Sequence, residues 1–509
     1  MAAPMNRRTA LRLAAGGLAT IPLASACSEL AVRGGGNVET QGSAGAVLRS
    51  AAPLPRPFTL PLRIPDVLRP TSTHDGTDYY DITQREERQE ILPGLKTVVW
   101  GYEGRFPGPT LVSRRGRQTV VRHHNALPVP TVVHLHGGKT PAEHDGYPTD
   151  LVQPGARREY VYPLDQPAAT LWYHDHRMDF TGPQVYRGLA GFHLVHDDEE
   201  DRLGLPSGDR DIPLLITDRA FHEDGSFRYP SRDPSLRGEP GVTDEFMSGV
   251  LGDCVLVNGV PWPVLEVEGA RYRFRLLNGS NARRYHLALD PPPPGGVAFT
   301  QVGGDQGLLA APVEHERLPI AQAERFDVVV DFSAYRPGQE VTLINTLGRG
   351  GTRDVLRFVV TRRGRDDSRV PSRLAELEPL SRDQARVERD FVFARGGAEH
   401  HGTTLWTVNG EPFSPDHVAA EVRPGSVELW RIRVQNVAHP VHLHLVPFQV
   451  LDGGPTTAGW KDTVDLDSGG QADLLVRFPD DPSYAGRYVF HCHNLEHEDM
   501  MMMANFDLR

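Results

Sequence analysis

The feature that most constrains the fold is a unit that occurs three times along the 509-residue chain. Each copy has a Gly-Pro type turn, a short strand, a Gly turn and an alternating strand that ends in Asn. The copies are FPGPTLVSRRGRQTVVRHHN (106–125), VNGVPWPVLEVEGARYRFRLLN (257–278) and VNGEPFSPDHVAAEVRPGSVELWRIRVQN (408–436). Any β-sandwich yields some look-alike strands, but the shared order of turn, Gly, strand and Asn favours a true repeat. The repeat predicts three similar β-sandwich domains.

The repeat also sets the predicted domain boundaries, at 55–200, 205–362 and 388–509. The charged, Pro-containing segment 362–386 is typical of a linker between the second and third domains. Short β-branched runs between turn residues dominate the middle of the chain, which indicates a mostly β protein. A chain of this length is too long for one core, in agreement with several domains.

The N-terminus, MNRRTALRLAAGGLATIPLASAC (5–27), has the features of an export signal. The pair Arg7 and Arg8 resembles a twin-arginine signal; the alternative is an ordinary secretory signal. Cys27 is a candidate for lipid attachment, although cleavage after residues 24–26 fits equally well. We therefore assign 1–54 to an export signal and a flexible tether, which predicts a periplasmic, cell-envelope or secreted protein. No later apolar run approaches bilayer length, so no transmembrane span is predicted.

The distribution of charge and the surroundings of the cysteines limit the functions that the sequence allows. The net charge is −12 and basic residues are scattered, so the sequence gives no indication of nucleic-acid binding. Of the three cysteines, Cys254 has the surroundings of an inert core thiol. Cys492 differs, because ligand-type residues flank it.

Four His-x-His pairs occur at matched places in the first and third domains. They are His134/His136, His174/His176, His442/His444 and His491/His493. On a strand the two members of each pair point the same way. Without a metal, eight gathered imidazoles would pay a heavy desolvation cost, whereas imidazole suits copper, zinc, iron and nickel. The middle domain has only His286 at the corresponding place, so it is interpreted as a spacer.

The tail HCHNLEHEDMMMM (491–503), interpreted as strand-forming, narrows the choice of metal. Cys492 should point to the face opposite its two flanking histidines. Two histidines, a thiolate and a weak thioether form a blue-copper electron-transfer site, here Cys492, His497, a Met and one more His, for which His439 is the candidate. Zinc would accept Cys and His but has no redox chemistry. Asp175 stands where a cysteine would be in the first domain, which predicts a single blue site.

Taken together, HLHG, WYHDH, HPVHLH and HCHNLEHEDMM resemble the copper-binding segments of the multicopper oxidases. The segments TPAEHDGYP (140–148) and LLITDRAFHEDGSF (214–227) are most similar to the bacterial spore-coat laccase and bilirubin-oxidase branch, with aminophenol oxidases as relatives. The resemblance implies an all-β fold of three consecutive cupredoxin-like Greek-key β-sandwich domains. It also implies four coppers per chain.

The resemblance carries over a set of site residues. The type 1 ligands would be His439, Cys492, His497 and Met502, with Met500 as the rival for the axial place, and Met501 and Met503 in the core. The type 2 ligands would be His134 and His442, and the type 3 ligands His136, His174, His176, His444, His491 and His493. Glu498 matches the acid that feeds protons to the cluster; the alternative is a solvated carboxylate. A second such acid has no clear match, with Glu143 and Asp145 as nearby residues.

The implied function is laccase-like: one-electron oxidation of phenolic, aminophenolic or bilirubin-type donors, coupled to reduction of dioxygen to water. The donor is expected at the rim near His497 or His439, and the protein is expected to be a monomer. One alternative is a Cu(I)-oxidising copper-tolerance protein. Another is a non-catalytic envelope or cell-division protein on the same fold, which would have lost ligands that are present here.

Overall fold

The computed structural model describes residues 39–40, 42–400 and 403–509. The export-signal prediction, with Arg7, Arg8 and Cys27, lies outside the described residues. Among the helices that are described, none has both the length and the apolar character needed to cross a bilayer.

Six sheets form three consecutive pairs along the chain. The first pair consists of Ser72–His74, Thr77–Gln89, Thr97–Tyr102, Thr119–Asn125 and Arg157–Tyr162, and of Leu111–Arg114, Val133–His136, Ala169–Asp175 and Ala190–His196. The second consists of Asp211–Phe221, Phe227–Arg228, Cys254–Val257, Val260–Pro261, Arg271–Asn278, Phe299–Gly304, Gly307–His315 and Arg325–Asp331, and of Val264–Gly269, Tyr285–Asp290, Leu318–Ile320, Glu340–Asn345 and Asp354–Arg363. The third consists of Val387–His400, Thr403–Val408, Val427–Val434, Phe448–Leu451 and Gln471–Arg477, and of Val418–Val422, His439–Leu443, Thr463–Leu466, Gly486–Cys492 and Met503–Leu508. We refer to these pairs as the first, second and third sandwich.

Helical structure is sparse and lies between strands. The α-helices of the described residues are Thr181–Arg187, Asp198–Leu203 and Leu495–Asp499. Single 3₁₀ turns occur at Ala142–His144, Gly208–Arg210, Asp244–Phe246, Phe332–Ala334, Gly350–Thr352, Arg382–Gln384, Pro455–Thr457 and Pro482–Tyr484. Two small pairings join the N-terminal segment, Glu39–Thr40 with Ser43–Ala44 and Ala46–Leu48 with Val250–Gly252.

The three sequence repeats have the same topology. In each copy the alternating strand pairs in parallel with the first long strand of its sandwich. The short strand before it pairs in parallel with the last strand of the other sheet. The strand at the histidine position pairs antiparallel with a later strand of that sheet: Val133–His136 with Ala169–Asp175, Tyr285–Asp290 with Glu340–Asn345, and His439–Leu443 with Gly486–Cys492. The sequence repeat is therefore a structural repeat.

The asparagine that ends the repeat has a structural role in the first two copies. The buried Asn125 amide donates to the carbonyls of Val129 and Val152, at 2.8 and 2.7 Å. Asn278 donates in the same way, to the carbonyls of Arg283 and Ile320. One side chain thus satisfies several backbone groups where the chain leaves the strand, which explains an amide at this place. Asn436 differs, since its oxygen accepts from the backbone N–H of Arg395.

The tether prediction is wrong for its last residues, because 43–50 are packed against the rest of the protein. Ser43 and Ala44 are buried, and Ala46–Leu48 runs parallel to Val250–Gly252. At Gly45, which has φ +140°, an added Cβ would lie 2.5 Å from the carbonyl oxygen of Gly249. Glycine is required for this close approach, and composition alone did not reveal it.

Two buried histidines outside the metal centre make stability depend on pH. Burial lowers the pKa of His123 and of His193 to about 3. Since the unfolded chain takes up these protons at about pH 6.5 and the folded chain does not, stability falls as the pH drops from about 6.5 toward 3. We expect His123→Phe to reduce the loss of unfolding free energy between about pH 7.5 and 5.5 by about 1.4 kcal/mol. Urea unfolding of copper-free protein at both pH values measures this; an unchanged difference would contradict it.

Candidate metal centre

Eight imidazoles from two sandwiches meet in one buried cluster, which we call the histidine cluster. In the first sandwich His134 lies beside His174 on the neighbouring strand, and in the third His442 lies beside His491 in the same way. All eight rings are at most 1% exposed. Rings from the two sandwiches stack on each other: the centroids of His134 and His444 are 3.7 Å apart, and those of His136 and His442 are 3.6 Å apart. The first and third sandwiches therefore share one seam.

Within the histidine cluster, groups of three rings have potential ligand atoms that lie within 4.8 Å of one another, and His444 belongs to two of these groups. The groups are His136/His174/His493, His176/His444/His491 and His134/His442/His444. Each group takes residues from both sandwiches. The two histidines that flank Cys492 fall in different groups, so the tail reaches two adjacent metal positions from one strand.

The donor atoms of the histidine cluster fit bound metal. The Nδ1 atoms of His134, His174 and His442 donate to backbone carbonyls, of Asp145, Asp175 and Asp462 respectively, at 2.7 to 2.8 Å. The Nε2 atoms of the same rings, and both nitrogens of His493, are buried without a hydrogen-bond partner. Nε2 of His491 lies 3.2 Å from Nε2 of His176 and 3.3 Å from that of His444. Such rings, held on one side and open on the other, are the usual arrangement of metal ligands.

Burial also keeps these rings in the form that binds metal. It is the main cause that lowers the pKa of His174 to about 3 and that of His176 to about 4. It moves the pKa of His134, His136, His442, His444 and His493 well below the usual range. Neutral imidazole is the ligand, so metal does not compete with protons here near neutral pH.

Asp145 is a site residue that the sequence left unassigned. Its carboxylate accepts from Nδ1 of His444 at 2.7 Å, and burial raises its pKa. The following Gly146, with φ +80°, lets the loop approach Val133, where a Cβ would lie 2.1 Å from a carbonyl oxygen. The Asp-Gly pair was the available signal for this turn. Glu143 is different, since its side chain is 80% exposed.

The second sandwich contributes to the histidine cluster without supplying a ligand. Arg325 on the strand Arg325–Asp331 forms a two-pronged ion pair with Asp462, with Nη1 to Oδ1 at 2.8 Å. Oδ1 of Asp462 also lies 3.1 Å from Nε2 of His136, and its backbone carbonyl accepts from His442. The interpretation of the middle domain as a spacer is therefore incomplete, although His286 itself is exposed.

Removal of this arginine should weaken both the fold and the metal centre. Arg325 and Asp462 are at most 2% exposed, and loss of one partner of a buried pair leaves an uncompensated charge that costs about 3–5 kcal/mol. We expect Arg325→Met to lower the unfolding free energy by about that amount and to weaken copper binding by the histidine cluster. Urea unfolding and copper titration measure the two effects.

Arg357→Met provides the control on the same sandwich. Arg357 pairs with Glu340 at 2.7 Å, but their side chains are 29% and 58% exposed. Loss of such a pair costs about 0–1 kcal/mol. Equal effects of the two substitutions would contradict a positioning role for Arg325.

A second group, the cysteine site, consists of Cys492, His439 and His497. Sγ of Cys492 lies 3.3 Å from Nδ1 of His439 and 3.6 Å from Nδ1 of His497, and the two Nδ1 atoms are 3.1 Å apart. Each outer Nε2 donates to a backbone carbonyl, of Gln435 and of Ser248 respectively. Burial raises the pKa of the Cys492 thiol, so deprotonation requires a bound cation. In the described chain Cys254 is also free and buried, but in the core of the second sandwich.

The sequence suggested that the tail forms a strand throughout, but in the structure the tail consists of two strands with a helix between them. The strand ends at Cys492, residues Leu495–Asp499 form a helix, and a new strand begins at Met503. Strand alternation therefore does not apply to the methionines. Met502 is fully buried, its N–H bonds to the His497 carbonyl and its carbonyl accepts from the Cys492 N–H. The Met500 sulfur instead lies against Gly241, 3.7 Å from a Cβ built there. Met503 is buried, whereas Met501 is half-buried.

Neither histidine of the cysteine site is itself exposed, so a donor at their rim would contact the groups that cover them. His439 and His497 are both 0% exposed. His497 is covered by the Ser248 carbonyl and by Trp406, whose ring stacks on it at a centroid distance of 3.8 Å. His439 is covered by the carbonyl of Gln435, a residue that is itself exposed, and docking of a donor near His439 or His497 stays a prediction.

Glu498 lies beside the group His176/His444/His491 of the histidine cluster and is buried, not solvated. Its carboxylate is 3.1 Å from Nδ1 of His491 and 3.7 Å from Nδ1 of His176. Burial raises its pKa, but the nearby His491 and His176 more than offset this, and the pKa falls to about 2. An ionised carboxylate here can accept a proton and pass it toward the histidine cluster.

At the position in the first sandwich that corresponds to Cys492, Asp175 has a structural role. Its carboxylate accepts from the backbone N–H groups of Val132 and Arg177 and from the amide of Gln184. Burial raises its pKa to about 7 despite these bonds. The carboxylate of Asp175 is thus held by hydrogen bonds, whereas Cys492 forms a group with two histidines.

Three β-sandwiches, one cysteine site and a histidine cluster define a class, the copper proteins that couple an electron-transfer site to a cluster.

Comparisons with known proteins agree with this class. The sequence model of the multicopper oxidases matches residues 83–200 and 358–509. A laccase of Bacillus subtilis (strain 168) is 38% identical, over 89% of this chain and 98% of that protein. A bilirubin oxidase of Albifimbria verrucaria is 36% identical, over 88% and 81%. The crystal structure of a laccase from Pediococcus acidilactici Pa5930 is 31% identical with TM-score 0.79, over 91% and 96%.

The chain belongs to the multicopper oxidase family. It is an oxidoreductase that uses copper and oxygen, and the predicted all-β fold of cupredoxin-like domains is confirmed.

Proposed function

We propose that the protein is a laccase-like oxidase that takes single electrons from phenolic, aminophenolic or bilirubin-type donors and reduces dioxygen to water. One observation carries the proposal: Cys492 belongs to the cysteine site, while its chain neighbours His491 and His493 belong to two different groups of the histidine cluster. An electron received at the sulfur has two short covalent routes to the histidine cluster. The names of the related laccase and bilirubin oxidase support this donor class.

The proposed copper sites follow the groups of side chains. His439, Cys492, His497 and Met502 would hold the type 1 copper, and His134 and His442 the type 2 copper. His136, His174 and His493 would hold one type 3 copper, and His176, His444 and His491 the other. Bound copper would supply one-electron acceptance at the cysteine site and dioxygen reduction at the histidine cluster. The protein excludes water from both, since every one of these side chains is buried.

Two buried carboxylic acids would transfer protons to the histidine cluster. Glu498 lies beside His491 and His176, and Asp145 holds His444. Reduction of dioxygen to water consumes protons as well as electrons, and a buried carboxylate is an efficient carrier. Asp145 is the better candidate for the second acid than the exposed Glu143.

Oxygen uptake by copper-loaded protein with a panel of donors tests the proposal. We expect four molecules of a one-electron donor to be consumed for each dioxygen, without release of peroxide. Peroxide in amounts equal to the dioxygen consumed would contradict four-electron reduction. Absence of the blue absorption of a copper–thiolate bond would contradict the cysteine site.

A second candidate function, oxidation of Cu(I), has one specific observation in its favour. The lining of a cavity of about 430 Å³ includes Asp179, Glu399, Asp499, Met500 and Met501, together with one cation, Arg232, which is paired with Asp244. Thioethers select Cu(I), and carboxylates add charge attraction. Steady-state rates with Cu(I) and with a phenol separate the two functions. The double substitution Met500→Leu with Met501→Leu should slow the oxidation of Cu(I) and leave the oxidation of the phenol unchanged.

We also propose that the chain is exported by a twin-arginine-like signal to the periplasm, the cell envelope or the exterior, and acts as a monomer. The support is the sequence of residues 5–27, with Cys27 as the candidate lipid anchor. Arg7→Lys with Arg8→Lys should abolish export by that route, and Cys27→Ala should release a lipidated protein from the membrane fraction.

A further inference from the structure

We infer that residues 43–50, here called the strap, are a positioning element for the type 1 site. The inference rests on the proposed type 1 site at Cys492. The strap includes Ala44, which belongs to the same buried apolar cluster as Cys492 and Met502. It acts through residues 247–250, which lie between the strap and the helix Leu495–Asp499.

One face of residues 247–250 holds the type 1 site. The Ser248 carbonyl accepts from Nε2 of His497 at 3.1 Å and from the Asn494 amide at 3.0 Å. The Met247 carbonyl accepts from the indole of Trp406, the residue that stacks on His497. These bonds fix which nitrogen of His497 is free to bind metal. Such outer partners typically change metal affinity about 10- to 100-fold when lost.

The other face of residues 247–250 is held by the strap. The Ala46 N–H donates to the Gly249 carbonyl at 3.0 Å, and Ala46–Leu48 pairs in parallel with Val250–Gly252. The approach at Gly45 is so close that a Cβ there would lie 2.5 Å from the Gly249 oxygen. A Cβ built on Gly249 itself would lie 2.4 Å from the Ala44 oxygen and 3.1 Å from the Asn494 amide nitrogen. Gly249 thus separates the strap from Asn494, the residue that directly precedes the helix Leu495–Asp499.

The strap is anchored at both ends. Oγ of Ser43, which is fully buried, accepts from the backbone N–H of Arg284 at 2.9 Å. The Ser50 hydroxyl donates to Asp253 at 2.5 Å and accepts from the Phe221 N–H at 3.1 Å. Between these anchors the strap completes the packing behind the Ser248 carbonyl. Loss of the strap should therefore let residues 247–250 shift, and with them the Ser248 carbonyl that orients His497.

Gly45→Val in the full-length, copper-loaded protein tests the inference. Valine cannot occupy the space against Gly249, so the strap should not seat. We expect copper at the cysteine site to bind about 10-fold or more weakly, with a weaker or shifted blue absorption, and copper in the histidine cluster to be retained. In copper-free protein, hydrogen exchange at the Val250 amide, which bonds to Glu496 at 3.0 Å, should also rise.

Gly76→Val is the matched control, because Gly76 also has positive φ (+77°) but nothing lies within 4 Å of an added Cβ. It should leave the blue absorption unchanged. If Gly45→Val does not fold, Ser50→Ala should shift the absorption and the Val250 exchange in the same direction by less, because it removes the two hydroxyl bonds of one anchor but keeps the backbone bond to Asp253. Unchanged absorption and exchange in the strap variants would overturn the inference, whereas wild-type protein without blue absorption would overturn the proposed type 1 site instead.

Discussion

Cys492→Ser is expected to abolish both the blue absorption and the oxidation of phenolic donors. The serine hydroxyl does not ionise as a thiol does and is a poor ligand for copper beside two imidazoles. The histidine cluster should still bind its metal, because its eight rings come from other positions and their outward bonds do not involve Sγ. Copper content, absorption spectrum and oxygen uptake measure the three expectations separately. Retained oxidation of a phenol would contradict Cys492 as the point of electron entry.

The control is the same substitution at Cys254, the other free and buried cysteine of the described chain. Cys254 lies in the core of the second sandwich among aliphatic residues, and burial raises its pKa. Cys254→Ser should cost stability, because it buries a hydroxyl, but leave the blue absorption in place. Loss of absorption in both variants would mean that the effect comes from unfolding, not from a missing ligand.

Glu498→Gln is expected to slow oxygen reduction by about 10²-fold or more while electron entry stays normal. The amide keeps the shape of the carboxylate 3.1 Å from His491 but cannot accept a proton and pass it on. Under anaerobic conditions the blue absorption should bleach with a donor at the wild-type rate. After dioxygen is admitted, the absorption should return slowly. Rapid-mixing spectroscopy resolves the two phases.

Glu143→Gln supplies the comparison for that experiment. Glu143 lies two residues before Asp145, and its side chain is 80% exposed. Both phases should match wild type, since solvent screens and replaces an exposed carboxylate. A return of absorption as fast in Glu498→Gln as in Glu143→Gln would rule out Glu498 as a proton carrier.

The sequence predicted the parts of the site that depend on local pattern. His134 and His136 are two apart on a strand, and a strand places both on one face, so their convergence followed from the period of two. The same reasoning placed Cys492 apart from His491 and His493. It failed after residue 493, because the short helix Leu495–Asp499 replaces the expected strand. Five residues, three of them acidic, form too short a run to give a helical signal that can be detected in the sequence.

The parts that escaped prediction depend on residues far apart in the chain. Arg325 and Asp462 are 137 residues apart, and no local pattern links an arginine in one domain to a carboxylate in another. Burial of His497 depends on Ser248, 249 residues away. The strap was assigned to a tether because Gly, Ser and Ala are typical of flexible segments. Small residues also permit close packing, and composition cannot distinguish the two uses.

The seam between the first and third sandwiches has a consequence for how the protein is made. His176 and His491, whose Nε2 atoms face each other, are 315 residues apart. A nascent chain on the ribosome therefore lacks part of the histidine cluster and of the cysteine site until residues 491–497 have been synthesised. Capture of the metal must be a late event in biogenesis, and a prematurely terminated product would be a colourless apoprotein however well its first two domains had folded.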